Sequence, residues 1–204
     1  MADAPKAVVW DIGRVLYQWD LRFLFAKLIA DPAELEWFVG NVVTEEWHFQ
    51  SDAGRPLAEM VPELGALFPE HGALIEAYQS RFIETLPAPV AGTHALVERL
   101  AANGVPRYAL SNFGAEFWAM FRSTAPIFDH FADCIISGEE RAAKPEPAIY
   151  AVLEQRTGLA GRELFFIDDR ADNIAAGQLR GWRGHVFTDA PALERELIAL
   201  GSLD

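Results

Sequence analysis

Cysteine is nearly absent. Cys134 is the only one in 204 residues, so no intramolecular disulfide can form. It lies in the apolar run "DCIIS" and reads as a buried core thiol rather than a reactive group. No apolar run approaches the roughly 18–20 residues of a membrane span. The opening "MADAPKAVVWD" also lacks the charged start and long apolar segment of a signal peptide, so a cytoplasmic, reducing compartment is expected. Positive charge is scarce as well. Against 30 Asp and Glu stand 17 Lys and Arg, a formal net charge of −13, which argues against nucleic acid and anionic membranes as partners. A small anionic ligand stays compatible if the site supplies local positive charge from Lys, Arg, amide N–H groups or a metal. The five histidines show no metal-ligand spacing.

Two textures alternate along the chain. Short apolar bursts read as buried parallel strands at "AVVWD" (Ala7–Asp11), "RYALSN" (Arg107–Asn112), "CIISG" (Cys134–Gly138), "LFFIDD" (Leu164–Asp169) and "GHVF" (Gly184–Phe187). Helical periodicity fills the gaps: Leu96, Val97 and Leu100 share one face, as do Ile149, Val152 and Leu153, and Leu193, Leu197 and Leu200. Strands alternating with helices of this length predict an α/β fold with a doubly wound, Rossmann-like, five-stranded parallel sheet. Ligands of such sheets bind at the carboxyl ends of the strands.

The interval from Asp20 to Leu86 breaks the alternation. It carries helical stripes (Leu21/Leu24/Phe25/Leu28 and Ile75/Tyr78/Phe82/Leu86) and no strand pattern. It is therefore expected to be an all-helical insertion, residues 20–86, in a core of residues 1–19 and 87–204. "LPAPVAG" (Leu86–Gly92) is its return hinge.

The polar strand ends carry the chemistry. Asp11, Ser111 with Asn112, and Asp168 with Asp169 converge on one sheet edge, and "AAKPEP" adds Lys144. Carboxylates from different strands make an oxygen-rich site for a hard cation such as Mg²⁺. A hydroxyl, amide N–H groups and a lysine then suit an anionic group beside it, and positive charge is what lets a carboxylate attack a phosphoryl group.

In these residues the chain resembles the haloacid dehalogenase (HAD) superfamily, in the branch with a helical, C1-type cap after the first motif (subfamily I). The four motifs occur in order: "VVWDIGRVL", "ALSN", "KPEP" and "FFIDDRADN". The resemblance implies that Asp11 is the nucleophile and forms an aspartyl-phosphate. Ser111, the amide of Asn112 and Lys144 would cradle the phosphate. Mg²⁺ would be held by Asp11, the backbone carbonyl of Gly13 and Asp169, with Asp168 assisting. Asn173 sits where a supporting acid is often found. The implied reaction is hydrolysis of a small phosphoester, a sugar phosphate or similar.

Gly13 is the main departure. HAD phosphatases usually carry a second aspartate there, which protonates the leaving alkoxide. Such general acid–base help is typically worth about 10²–10⁴ in rate. The "DIGxVL" pattern resembles a DxGxV branch that includes sugar-phosphate phosphatases. Arg14 replaces a small residue and either adds positive charge near the phosphate or points to solvent. Asp20 is a replacement acid or, preferably, the N-cap of the following helix. "TEEWHFQSDAGRP" (Thr44–Pro56) has the composition of a substrate loop, and equally reads as a helix, a turn at Gly54 and a new helix with Trp47 buried. His48 is its one side chain with an ordinary titration near neutrality, which makes it a candidate acid. Trp10, Trp19, Trp37 and Phe38 read as core or hinge residues, so no interface or oligomeric state is assigned.

Two other functions fit parts of the pattern. In a 2-haloacid dehalogenase Asp11 would attack carbon, and Gly13 would be no obstacle. Those enzymes work without metal, however, and the acidic pair Asp168–Asp169 would be a liability beside a carboxylate substrate. In a phosphate-binding module, turnover would have been lost with the acid at position 13.

Overall fold

The computed structural model describes residues 4–204. Five strands, β1 (Ala7–Trp10), β2 (Arg107–Ser111), β3 (Asp133–Ile136), β4 (Leu164–Asp168) and β5 (Arg183–Val186), form one sheet in the order β3-β2-β1-β4-β5. Every pair is parallel. The expected doubly wound sheet is therefore present, with strand bounds that differ by a residue or two from the sequence pattern.

The reason β1 lies at the centre is visible in its side chains. Val8 and Trp10 pack on one face, Ala7 and Val9 on the other, and all four are buried. A strand buried on both faces reads as an unbroken apolar run, which "AVVW" is. Ile149, Tyr150, Leu153, Phe166 and Trp182 cover the second face. The first face joins a larger core that runs on into the inserted helices, through Phe25, Phe38, Met60 and Tyr78.

The insertion is helical: α1 (Arg22–Phe25), α2 (Pro32–Asn41), α3 (Glu45–Asp52), α4 (Leu57–Leu67) and α5 (Gly72–Arg81), then a 3₁₀ turn at Phe82–Thr85. Six helices belong to the sheet: α6 (Thr93–Ala102), α7 (Ala115–Arg122), α8 (Ser137–Glu140), α9 (Pro147–Thr157), α10 (Ala171–Leu179) and α11 (Ala190–Ala199). The stripe Leu21–Leu28 yields only the single turn of α1. The N-cap of α1 is Leu21 rather than the expected Asp20, whose Oδ1, one residue earlier, accepts from the Arg22 N–H at 2.8 Å. Thr44 caps α3 by accepting from the Trp47 N–H at 3.0 Å, and α3 stops at a turn where Gly54 takes φ +95°. Cys134 is half-buried in β3, where burial pushes its thiol up to about 12. No helix among the described residues is long and apolar enough to cross a membrane.

The segments that follow β2 and β3 meet at a close backbone approach. A methyl placed on Gly138 would lie 2.4 Å from Ala115 N and 2.8 Å from Phe113 O. Those are main-chain atoms and cannot swing aside. Gly138→Ala should therefore destabilise the protein by about 1–3 kcal/mol, as overpacking does, seen as a lower urea midpoint at unchanged m-value.

Candidate active site

The register of the sheet brings three strand ends together. Trp10 pairs with Ala109 of β2 and with Ile167 of β4, so the next residues, Asp11, Leu110–Ser111 and Asp168, end at one edge. The strand order reverses around β1, which makes this edge the switch point of the fold. Asp11, Asp168 and Asp169 present carboxylate oxygens all within 4.8 Å of one another.

Lys144 reaches into this acidic cluster. Its Nζ lies 2.9 Å from Asp11 Oδ1 and 2.6 Å from Asp168 Oδ2, with the ammonium group buried. Burial works against the lysine's charge, but Asp11 and Asp168 outweigh it and hold its pKa above the ordinary value. Asn112 fixes the main chain of Lys144 from both sides. Its Oδ1 accepts from the Lys144 N–H at 2.8 Å, and its Nδ2 donates to the Lys144 carbonyl at 2.9 Å.

Asp11 Oδ1 also accepts from Ser111 Oγ and from the Ile12 N–H, each at 2.7 Å. Asp168 is fully buried and well satisfied: Oδ1 accepts from the Arg170 N–H at 2.8 Å, and Asn173 Nδ2 lies 3.0 and 3.1 Å from its two oxygens. Asp169 is half-buried and lines the adjoining cavity with Asp11 and Gly13. Burial pushes the Asp11 carboxyl up to about 7, against the pull of Lys144 and with the repulsion of Asp168 and Asp169. Asp169 is raised as well, first by burial and then by Asp168.

This donor set fits a divalent hard cation. Three carboxylates lie together beside one lysine, every donor is oxygen, and burial, with the repulsion of Asp168 and Asp169 added, holds Asp11 away from its charged form. The nitrogen and sulfur donors that a softer metal prefers are absent from the cluster.

The cavity beside these residues measures about 380 Å³. Ser111, Asn112, Lys144 and Asp169 line its floor, whereas Glu45, Glu46, His48, Phe49 and Asp52 line it from α3. Thr44–Pro56 is thus both things the sequence suggested, a helix with a turn at Gly54 and a wall of the site. Trp47 is only half-buried. His48 is buried, and burial pulls its imidazole down to about 3, with the Arg14 charge adding to that. It is neutral at physiological pH and unsuited to be the acid.

Arg14 is neither wholly in the cavity nor wholly in solvent. It lines the cavity and is also partly exposed, paired with Glu45 at 2.5 Å and lying 4.8 Å over the Trp19 ring. Its φ of +60° is one that non-glycine residues seldom adopt, strain of a kind that gathers at functional sites. Asp20 is not among the lining residues. Sequence reasoning missed Arg170 at the cavity and missed the state of Asp52, whose burial no local pattern announced.

Comparison with known proteins follows the same line. The family described as haloacid dehalogenase-like hydrolase matches residues 5–179. Over 198 residues, 97% of each chain, the protein is 26% identical to sesquiterpene phosphatase astK of Aspergillus oryzae. It is 30% identical over 108 residues to the phosphoglycolate phosphatase of Yersinia pseudotuberculosis, covering 53% of this chain and 47% of that enzyme. A HAD family enzyme of Bacteroides thetaiotaomicron, solved in complex with magnesium and inorganic phosphate, gives a TM-score of 0.69 at 23% identity over 91% of this chain and 95% of that one. L-2-haloacid dehalogenase of Xanthobacter autotrophicus, with chloropropionic acid covalently bound, gives 0.63 at 21% identity over 96% and 83%. At such identities the two structures establish a shared fold.

Removing Lys144 tests the electrostatics directly. Asp11 sits above its ordinary carboxylate value, so its contribution to stability is present at low pH and is lost as pH rises through about 7. Without the lysine its pKa climbs further and that loss grows. Lys144→Met, unfolded with urea in EDTA, should cost about 3–5 kcal/mol near pH 8, as breaking a buried pair does, and distinctly less near pH 5.

Proposed function

Because the chain belongs to the haloacid dehalogenase-like hydrolases, we propose that it hydrolyses phosphomonoesters by attack of Asp11 on phosphorus, with Mg²⁺ as its cation. The observation that carries this reading is the cluster of Asp11, Asp168 and Asp169 around Lys144 at the switch point of the sheet. A carboxylate substrate of a dehalogenase would meet two further carboxylates there, whereas a phosphate beside a divalent cation would not be repelled.

The contacts support a role for each residue. Ser111, Lys144 and the Ile12 N–H all donate to Asp11 Oδ1 and orient the nucleophile. With substrate present, Ser111, the amide of Asn112 and Lys144 bind phosphoryl oxygens. Asp11, the carbonyl of Gly13 and Asp169 hold the cation. Asp168, whose oxygens are already engaged, assists by fixing Lys144 and the loop to Asn173. When bound, Mg²⁺ supplies the charge that lets a carboxylate approach a phosphate. Attack by Asp11 expels the alcohol and leaves an aspartyl-phosphate, which water then hydrolyses.

We assign residues 1–19 and 87–204 to the catalytic core and 20–86 to the cap. Supporting this division, the two linkers run side by side: Tyr17 bridges Pro89 antiparallel, and the Gln18 N–H donates to the Ala88 carbonyl at 2.9 Å. The cap completes the cavity with residues of α3 and with Phe82.

Its walls bear on the alcohol. Trp19, Phe49, Phe82 and Phe113 line the cavity, which moves the reading from a sugar phosphate toward the phosphomonoester of a largely apolar alcohol. The full-length similarity to a sesquiterpene phosphatase supports the same choice. In a series of n-alkyl phosphates, kcat/KM should then rise by up to about 0.8 kcal/mol per methylene. A flat series, with sugar phosphates turned over faster, would return the reading to sugars.

The reaction itself is tested with p-nitrophenyl phosphate, whose good leaving group needs little protonation. Turnover should require Mg²⁺, stop with EDTA and fall to background in Asp11→Asn. Release of chloride from 2-chloropropionate, with no phosphate release, would instead point to a dehalogenase. Phosphate and Mg²⁺ binding without turnover would point to a binding module. Independently of activity, Mg²⁺ should raise the Tm more near pH 8 than near pH 5.5, because a proton competes for Asp11 below about 7.

A further inference from the structure

The cap side of the cavity holds a carboxyl that no step above employs. Asp52 is the last residue of α3, is 6% exposed and lines the same cavity as Asp11. Its Oδ1 is buried and has no hydrogen-bond partner among the described residues. Buried polar atoms in native proteins are almost always paired, and one that is not calls for a reason.

Its surroundings keep that oxygen supplied with a proton. Asp52 Oδ2 lies 3.4 Å from His48 Nε2, and His48 Nδ1 lies 2.6 Å from the Tyr78 hydroxyl. The imidazole is stacked on Phe82, with centroids 5.5 Å apart and planes 16° off parallel. Burial raises Asp52 to about 8; Asp11 adds to this, while the Gly114 N–H and Lys144 oppose it. Burial also raises Tyr78 well above the ordinary phenol value and keeps His48 neutral. With the imidazole proton on Nε2, the Tyr78 O–H donates to Nδ1, Nε2–H faces Asp52 Oδ2 at 3.4 Å, and the acid proton of Asp52 falls to Oδ1.

The main chain ties this residue to the phosphate loop. The Asp52 carbonyl accepts from Ser137 Oγ at 2.5 Å, and Ser137 Oγ accepts from the Phe113 N–H at 3.0 Å. Phe113 is two residues beyond Ser111. One serine thus fixes the end of α3 relative to the residues that face the phosphate.

We infer that Asp52 is the proton donor to the leaving alcohol, the role that Gly13 leaves vacant. This rests on the phosphatase reading. As Asp11 attacks phosphorus, the bond from phosphorus to the ester oxygen breaks. Its electron pair stays on that oxygen, which takes the proton from Asp52 Oδ1 and departs as the alcohol. Asp52 is then a carboxylate. It accepts a proton from the water that attacks the aspartyl-phosphate, and the phosphate leaves with Asp11 regenerated and Asp52 neutral again. His48 and Tyr78 do not exchange protons in this cycle and act as positioning residues.

The test compares two esters on the full chain with Mg²⁺: p-nitrophenyl phosphate, and hexyl phosphate, whose alkoxide needs a proton. Asp52→Asn replaces a neutral acid by a neutral amide of the same shape. Both activities should fall, because water activation is also lost. The ratio of kcat/KM for hexyl over p-nitrophenyl phosphate should fall by a further factor of about 10²–10³. Equal losses on the two esters, or an unchanged ratio, would overturn the assignment and leave Asp52 a packing residue.

The wild-type protein offers a second measurement that no folding defect touches. Across substituted phenyl phosphates, kcat/KM should depend only weakly on leaving-group basicity, and a steep dependence would also overturn it. A wild type inert toward both esters fails the phosphatase reading itself, a result distinct from either of these.

Discussion

Everything at the sheet edge depends on one buried ammonium group. Lys144 stands between two aspartates from different strands, and without it the ends of β1 and β4 would present uncompensated negative charge to each other. A buried ion pair is an expensive device, since desolvation offsets much of its Coulomb energy. What it provides here is placement. Asn112 holds the lysine's backbone, Asn173 and the Arg170 N–H hold Asp168, and Ser111 holds Asp11. All four sequence motifs are thereby wired into one network, so the position of each functional atom is set by the others and not by its own loop.

Much of this was legible in the sequence because it is local. An apolar run ending in a carboxylate specifies a buried strand with a polar tip, and "AVVWD" and "LFFIDD" behave as written. The insertion was legible as helical, since stripes of period near 3.6 have no other reading. Its details were not. The Leu21–Leu28 stripe forms a single turn because the chain there is held from outside, by the Asp20 N–H on the Thr85 carbonyl and by Phe25 against Phe38. Nor does any spacing announce that His48, Asp52 and Tyr78 meet, because Tyr78 comes from another helix and the burial that sets their protonation is a property of the assembled core.

The cap and core do not meet as two separate hydrophobic bodies. One apolar cluster runs from the first face of the sheet into the inserted helices, and the aromatic stack of Phe82 on Phe117, at 3.7 Å between centroids, joins a residue at the end of the insertion to one in α7. Polar contacts sit at the margin of this apolar seam, where Ser137 joins α3 to the loop after β2. Separating the inserted helices from the sheet would expose this aromatic surface to water, an unfavourable change.

The paired linkers have a consequence for how such a molecule is put together. Tyr17 and Pro89 are neighbours in space although 72 positions separate them in the chain. Closing the gap between them takes almost no chain, so the entropic cost of joining the two ends by a short turn is small. The inserted helices thus leave and rejoin the sheet at nearly one point, beside the strand that carries Asp11. A shortened chain with a tight turn there keeps all five strand segments and the three clustered aspartates, whereas Phe49, Phe82 and Asp52 leave with the insertion and Trp19 and Phe113 stay. Phe49 and Phe82, on the cavity wall, and Asp52, with its buried carboxyl, thus belong to one contiguous stretch of chain.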